Sequence, residues 1–270
     1  MKKIDVIIFG GQSNMQGQSE SLTSTEAVEH AYEYKFLVDT AQPLCNPVGE
    51  NIKYNMSSGY SIAENTNLKE WLSEHVTGAS CYGNTNLVPA FCKEYLDVCD
   101  EQIDVLATHV AKGSTQLSEW LPGTKGYEIV VNKSEAAIAY AKQHGQIGRV
   151  FFVWLQGESD AVASVSKDTY KKSLMVLNQA LRTELGVECF GVIRVGRFTR
   201  DDRDMEIIYA QDEICKEQKE FLMLTEIATE LNEQAEYMNP YVKGHYSAKG
   251  LETLGMLAGK RLAEYRNGGR

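Results

Sequence analysis

No apolar run in the chain approaches the roughly 20 residues that a membrane-crossing helix needs, so a helical span is excluded. The sequence also lacks a low-complexity tract, an internal repeat and a Pro/Gly/Ser-rich linker, and it holds only five prolines. One domain over residues 1–270 is therefore expected. Basic residues are outnumbered, 27 Lys and Arg against 37 Asp and Glu, giving a formal charge of −10. With a pI near 5.1, a basic groove for nucleic acid is excluded. The six cysteines (Cys45, Cys81, Cys92, Cys99, Cys189 and Cys215) form no C-x-x-C pair, so zinc spacing is missing. Met1-Lys2-Lys3, followed directly by strand residues, is too short and too acidic for a signal peptide. Reduced thiols and a cytoplasmic location are the corresponding expectations. Nothing in the sequence sets an oligomeric state.

What is present is organised around Gly10-Gly11-Gln12-Ser13-Asn14-Met15. It follows Ile4-Asp5-Val6-Ile7-Ile8-Phe9, a β-branched apolar run that reads as a buried first strand. Two glycines let the backbone turn sharply and present Ser13 at the carboxyl end of that strand, the edge where open α/β sheets bind ligands. Three readings compete. One is a plain strand-to-helix turn capped by Ser13 or Asn14. Another is a phosphate loop, against which stand the glycine spacing and the missing Lys-Ser or Lys-Thr pair. The third is a serine hydrolase, which requires a histidine and an acid elsewhere in the chain. Met15 stands where the α/β-hydrolase elbow has its last glycine, so that elbow fits poorly.

Residues 16–88 carry little periodicity and read as an irregular insertion over the strand-end face, with a minor strand near Tyr34-Lys35-Phe36-Leu37-Val38. A helix begins near Pro89. Further strands are expected at 103–110, 149–155, 188–195 and 221–224. Helices are expected at 127–143, over the Tyr170, Leu174, Leu177, Leu181, Leu185 face, at about 202–218, and at 247–265 with Leu251, Leu254, Leu257 and Leu262 inward. The alternation argues an α/β fold, with about five parallel strands and helices on both faces. Small and polar clusters after the first three strands converge on one edge.

Of five histidines, His30 and His75 fall in the irregular region, His144 at a helix end, and His109 in a strand. His245 precedes the last helix in Gly244-His245-Tyr246-Ser247, either as a residue ahead of the Ser247 cap or as a catalytic base. Four blocks occur in order: Gly11-Gln12-Ser13-Asn14-Met15; Ala111-Lys112-Gly113-Ser114-Thr115 with Glu119-Trp120; Trp154-Leu155-Gln156-Gly157-Glu158-Ser159-Asp160; and His245-Tyr246-Ser247-Ala248-Lys249-Gly250. Together they resemble the SGNH-hydrolase superfamily, and within it the sialate O-acetylesterase and acetylxylan esterase group of carbohydrate esterases.

The resemblance implies a flavodoxin-like three-layer α/β/α fold and metal-free hydrolysis of sugar acetyl esters, without cofactor. It implies Ser13 as nucleophile and His245 as general base. The N–H groups of Ser13 and Gly83 and the side-chain amide of Gln156 would then hold the oxyanion. Relatives often place an acid three residues before the histidine, where this chain has Val242. Glu158 resembles the acid that some members use instead, with Asp160 or no acid as the rivals, and it is expected to bond His245. Asn84, Trp120 and Arg197 are expected sugar contacts. The competing functions are an esterase or lipase acting on small acyl esters or lipids, and a non-catalytic carbohydrate-binding protein.

Overall fold

The computed structural model describes residues 2–50, 67, 70 and 84–269. Its sheet has the order β3-β2-β4-β1-β5-β6-β7. The five expected strands are β1 (Lys3–Gly11), β4 (Asp104–Ala111), β5 (Gln146–Leu155), β6 (Cys189–Ile193) and β7 (Phe221–Thr225), paired in parallel throughout. Two strands from the region read as an insertion extend one edge: β2 (Ala31–Lys35) runs parallel to β4, and β3 (Thr40–Pro43) runs antiparallel to β2. The described part of that region is thus sheet as well as loop. Phe36–Val38, expected as strand, is a 3₁₀ turn.

The helices are α1 (Ser13–Gln16), α2 (Leu87–Val98), α3 (Lys125–His144), α4 (Glu158–Val162), α5 (Lys167–Leu185), α6 (Asp202–Glu217), α7 (Ala228–Leu231) and α8 (Ala248–Arg266), with further 3₁₀ turns at Leu117–Trp120 and Ala235–Tyr237. From β1 the chain runs out to the β3–β2 edge and returns through α2 to β4, then passes through α3 across β1 to β5 on the other side. Right-handed crossovers therefore put α2 and α3 on opposite faces, and the order reverses beside β1. The crevice of such a sheet opens at the end of β1, where Ser13 stands.

The core fits the periodicity. Tyr170, Leu174, Leu177, Leu181 and Leu185 are all buried along α5. On α8 the inward stripe is Leu251, Leu254, Ala258 and Leu262, while Leu257 is exposed. Leu251 and Ala258 lie seven residues apart, nearly two whole turns, whereas Leu257 falls well off that line. At the other end of β1, buried Asp5 accepts from Arg266 Nε (2.5 Å), Tyr95 OH (2.6 Å) and Arg149 N (2.8 Å). That node fixes β1 to α8, α2 and β5, so that the strand carrying Ser13 has a firm base. The five described cysteines are free.

Candidate active site

The turn after β1 is built on Gly11, whose φ is +150°. A Cβ there would stand 2.1 Å from the Leu155 carbonyl oxygen, which instead accepts the Gln12 N–H at 3.1 Å. Only glycine permits that approach. The chain then enters α1 at Ser13, and Gly17 ends it in the left-handed region at φ 89°. As the first residue of a helix, Ser13 has no intrahelical acceptor for its N–H. On the neighbouring strand, Lys112 N donates to Gly11 O at 3.0 Å and brings Gly113 beside the serine. A Cβ on Gly113 would lie 3.6 Å from Ser13 Cβ. The Gly113 N–H donates to Gln16 Oε1 at 3.0 Å. Gly113 is thus the second-strand glycine next to Ser13; the expected Gly83 lies outside the described residues.

On the opposite flank, β5 runs into Gln156-Gly157-Glu158. The structure corrects the expectation for Gln156. It is fully buried, donates to Thr115 O (2.9 Å) and Asp160 Oδ2 (2.5 Å), and accepts from Tyr170 OH (3.0 Å). An amide so committed has no donor left for an oxyanion. An amide that does face the cavity is Gln12. Its Oε1 accepts the Ser159 N–H at 3.2 Å, its Nε2 has no partner among the described residues, and it lines the cavity. Asp160 also accepts from Leu117 N at 2.9 Å, and burial pushes its carboxyl up to about 6. It serves the core and does not bond His245.

Glu158 is buried, and burial raises its carboxyl above the usual range. Its Oε1 accepts from Asn14 Nδ2 at 2.7 Å, and its Oε2 has no partner. The expected Glu158–His245 hydrogen bond is not made. His245 Nδ1 instead meets the Lys243 carbonyl at 3.1 Å. This contact follows from local geometry: the loop folds back so that Asn239 N donates to His245 O (2.8 Å) and His245 N to Val242 O (3.3 Å). A carbonyl accepts only, so Nδ1 carries the proton and Nε2 is left as the basic nitrogen. Burial lowers the His245 pKa below its ordinary value of 6.5, against the pull of the Lys243 and Val242 carbonyls.

Asn14 joins three of the four blocks. While its Nδ2 holds Glu158, its Oδ1 accepts the Tyr246 N–H at 3.2 Å. One buried side chain thus ties the serine turn, the β5 end and the histidine loop. Asn239 Nδ2, donating to Gln18 O at 3.0 Å, makes a second tie between the serine and histidine segments.

Ser13 and His245 line one cavity of about 460 Å³ with Gln12, Ser114, Gln116, Glu119, Glu158 and Phe198. The expected sugar contacts are elsewhere. Trp120 is fully buried, its Nε1 on Thr115 Oγ1 at 3.0 Å and its ring edge-on to Trp154. Asn84 donates to Ser19 O at 2.7 Å, and neither it nor Arg197 lines the cavity. Of the other histidines, His109 is buried with Nε2 on Met15 O at 2.9 Å. His144 Nδ1 meets the Tyr140 carbonyl, and His30 pairs with Asp104. His75 lies outside the described residues.

Comparison with known proteins places this arrangement. Among solved structures, a protein from Arabidopsis thaliana superposes with a TM-score of 0.63 at 15% identity, covering 97% of this chain and 98% of that one. NanS gives a TM-score of 0.64 at 12% identity, covering 98% and 97% of the two chains. A carbohydrate acetylesterase from Xanthomonas citri gives 0.53 at 14% identity, covering 97% of this chain and 56% of that chain. At these identities the likeness is one of fold. No curated protein matches the sequence. The family model described as "Carbohydrate esterase, sialic acid-specific acetylesterase" matches residues 3–264, and the chain belongs to that family of carboxylic ester hydrolases.

Proposed function

We propose that the chain removes O-acetyl groups from carbohydrate through an acetyl-enzyme on Ser13. One observation carries the reading: Ser13 and a histidine with Nδ1 on a backbone carbonyl share a single cavity. In the first half-reaction His245 Nε2 takes the Ser13 proton as Oγ attacks the acetyl carbonyl. The developing oxyanion is held by the Ser13 and Gly113 N–H groups and Gln12 Nε2, the substrate oxygen replacing Gln16 Oε1 on Gly113. Collapse breaks the ester C–O bond, and the sugar oxygen leaves with the proton from His245. Water then attacks the acetyl-serine with His245 as base, releasing acetate and restoring Ser13.

In this mechanism the Lys243 carbonyl orients the imidazole, the task usually given to a carboxylate. Glu158 acts at one remove, by fixing Asn14 and through it the loop that bears His245. The polar wall favours a sugar over a long acyl chain. The test is hydrolysis of p-nitrophenyl acetate and an acetylated sugar by wild type and Ser13→Ala. The variant should fold normally and lose several orders of magnitude in kcat, and a serine-reactive phosphonate should label Ser13 alone. Wild-type rates from a purified Ser13→Ala sample would sink the proposal.

A further inference from the structure

Apart from His245, the ionisable side chains around Ser13 are acidic. Glu119 and Glu158 line the cavity, and among the described residues no Lys or Arg does. Each carboxyl is half committed. Glu119 Oε2 accepts the Gln116 N–H at 2.8 Å, which closes a capping box on the 3₁₀ turn Leu117–Trp120, while Oε1 is buried without a partner. Glu158 Oε1 accepts from Asn14 at 2.7 Å, and Oε2 is buried without a partner in a residue only 4% exposed.

Both unpaired oxygens are enclosed by protein and out of a ligand's reach, so what these side chains offer the cavity is charge. A neutral sugar meets that charge without penalty, whereas a carboxylate on the ligand meets a like one. In a cavity of about 460 Å³ it would sit within roughly one Debye length of Glu119, on the solvent-poor side where screening is weak. Specificity here is repulsion of the wrong ligand as much as attraction of the right one.

Resting on the acetylesterase reading above, we infer that Glu119, together with Glu158, selects acetates of uncharged, polyhydroxylated sugars and disfavours anionic ones such as acetylated sialic acid. The selection thus runs against the substrate in the family's own description. Glu119 is the residue on which the test turns, since Glu158 is also coupled to Asn14.

The experiment compares kcat/KM of the full chain for three esters: an O-acetylated neutral methyl glycoside, O-acetyl sialic acid as the free acid, and the methyl ester of that same sialate. The neutral glycoside should exceed the free acid by about tenfold or more, the scale of one like-charge contact in a partly desolvated site. The methyl ester should recover most of the difference. Glu119→Gln keeps the acceptor oxygen toward Gln116 N and removes the charge. It should narrow the methyl-ester to free-acid ratio several-fold. Because the readout is a ratio within one sample, loss of folded protein does not move it. Equal rates on free acid and methyl ester overturn the inference. So does a methyl ester as slow as the free acid beside a fast neutral glycoside, which would make shape the selector. Failure on all three esters and on p-nitrophenyl acetate would remove the esterase reading first, and this inference with it.

Discussion

Asn14 is a small residue with a large mechanical task, and removing its side chain tests the site's construction most directly. Asn14→Ala strands two buried groups, the Tyr246 N–H and Glu158 Oε1. Each unpaired buried group costs about 1–3 kcal/mol, so a loss of roughly 2–6 kcal/mol is expected. Asn14→Asp is the sharper perturbation. It keeps an oxygen for Tyr246 N but sets a second carboxyl 2.7 Å from Glu158, where the donor stood. Two carboxyls at that range cannot both ionise, so the folded pair holds a proton that the unfolded chain releases. A folded pKa raised above the unfolded value stabilises below the unfolded value and ceases to do so as pH rises through the folded one. Burial already gives wild-type Glu158 this sign, and the variant steepens it. Urea unfolding at pH 5 and pH 8 should therefore show Asn14→Asp losing roughly 1–3 kcal/mol more than wild type at the higher pH. In parallel, kcat on p-nitrophenyl acetate should fall further in Asn14→Ala than in Asn14→Asp at pH 5–6, with KM changing less. Wild-type stability and kcat in Asn14→Ala would refute the tie between the serine turn and the histidine loop. A pH-independent penalty in Asn14→Asp would show that Glu158 does not face it.

Gly113→Ala should lower kcat at least tenfold with little change in Tm. Its Cβ would stand 2.9 Å from Gln18 Nε2 and 3.0 Å from Gln16 Oε1, flexible side-chain ends that can yield, and would fill space beside Ser13 that the substrate oxygen enters; alanine keeps the N–H, so a fully active variant counts against that close approach of substrate to Gly113. Gln156→Ala should cost about 2–4 kcal/mol in denaturant unfolding by stranding Thr115 O, Asp160 and Tyr170. Its folded fraction should keep near-normal kcat, and a selective loss of kcat at unchanged stability would return Gln156 to the oxyanion hole. His109 is buried with its pKa lowered from 6.5 to about 4, chiefly by desolvation. The unfolded chain therefore binds that proton first, and wild-type stability should fall by up to roughly 3 kcal/mol as pH drops from 6.5 toward 4. His109→Gln, which can still donate to Met15 O, should flatten that slope in calorimetry; an unchanged slope assigns it to other groups.

Much of this architecture was legible because it is written in short-range pattern. The α5 stripe, the five parallel strands and the Ser247 cap, which accepts the Gly250 N–H at 3.1 Å, each depend on residues within a few positions of one another. Leu257 misled because a leucine at spacing three looks inward unless the whole turn count is followed. The edge strands were only partly legible, a strand being expected at 34–38 where β2 covers Ala31–Lys35: Glu33 is buried in β2, held by Lys35 and the Gly49 N–H, and a buried ion pair breaks the apolar pattern that marks a strand. In the site, Ser13 and His245 stand out by their flanking residues. The duties of Gln156 and Glu158 do not, because an amide or carboxyl after a strand reads the same whether it faces cavity or core. Thr115 lies 41 positions from Gln156 and Asn14 lies 144 positions from Glu158, and those partners decide. Gly113 stood within a recognised block, but its adjacency to Ser13 needed the β1–β4 pairing to be known.

The hydrogen bond between Asn14 and Tyr246 closes a loop of 232 positions. Seen as a folding event, that contact is among the least local in the molecule. Bringing ends so far apart together costs on the order of 5 kcal/mol in chain entropy before any contact rewards it. The strands around β1 can zip by shorter steps, but the histidine loop cannot settle until the sheet that carries Ser13 offers it a docking surface. On the esterase reading, recovery of hydrolysis is expected to trail tryptophan burial in refolding, because the Trp120–Trp154 pair belongs to the nearer contacts.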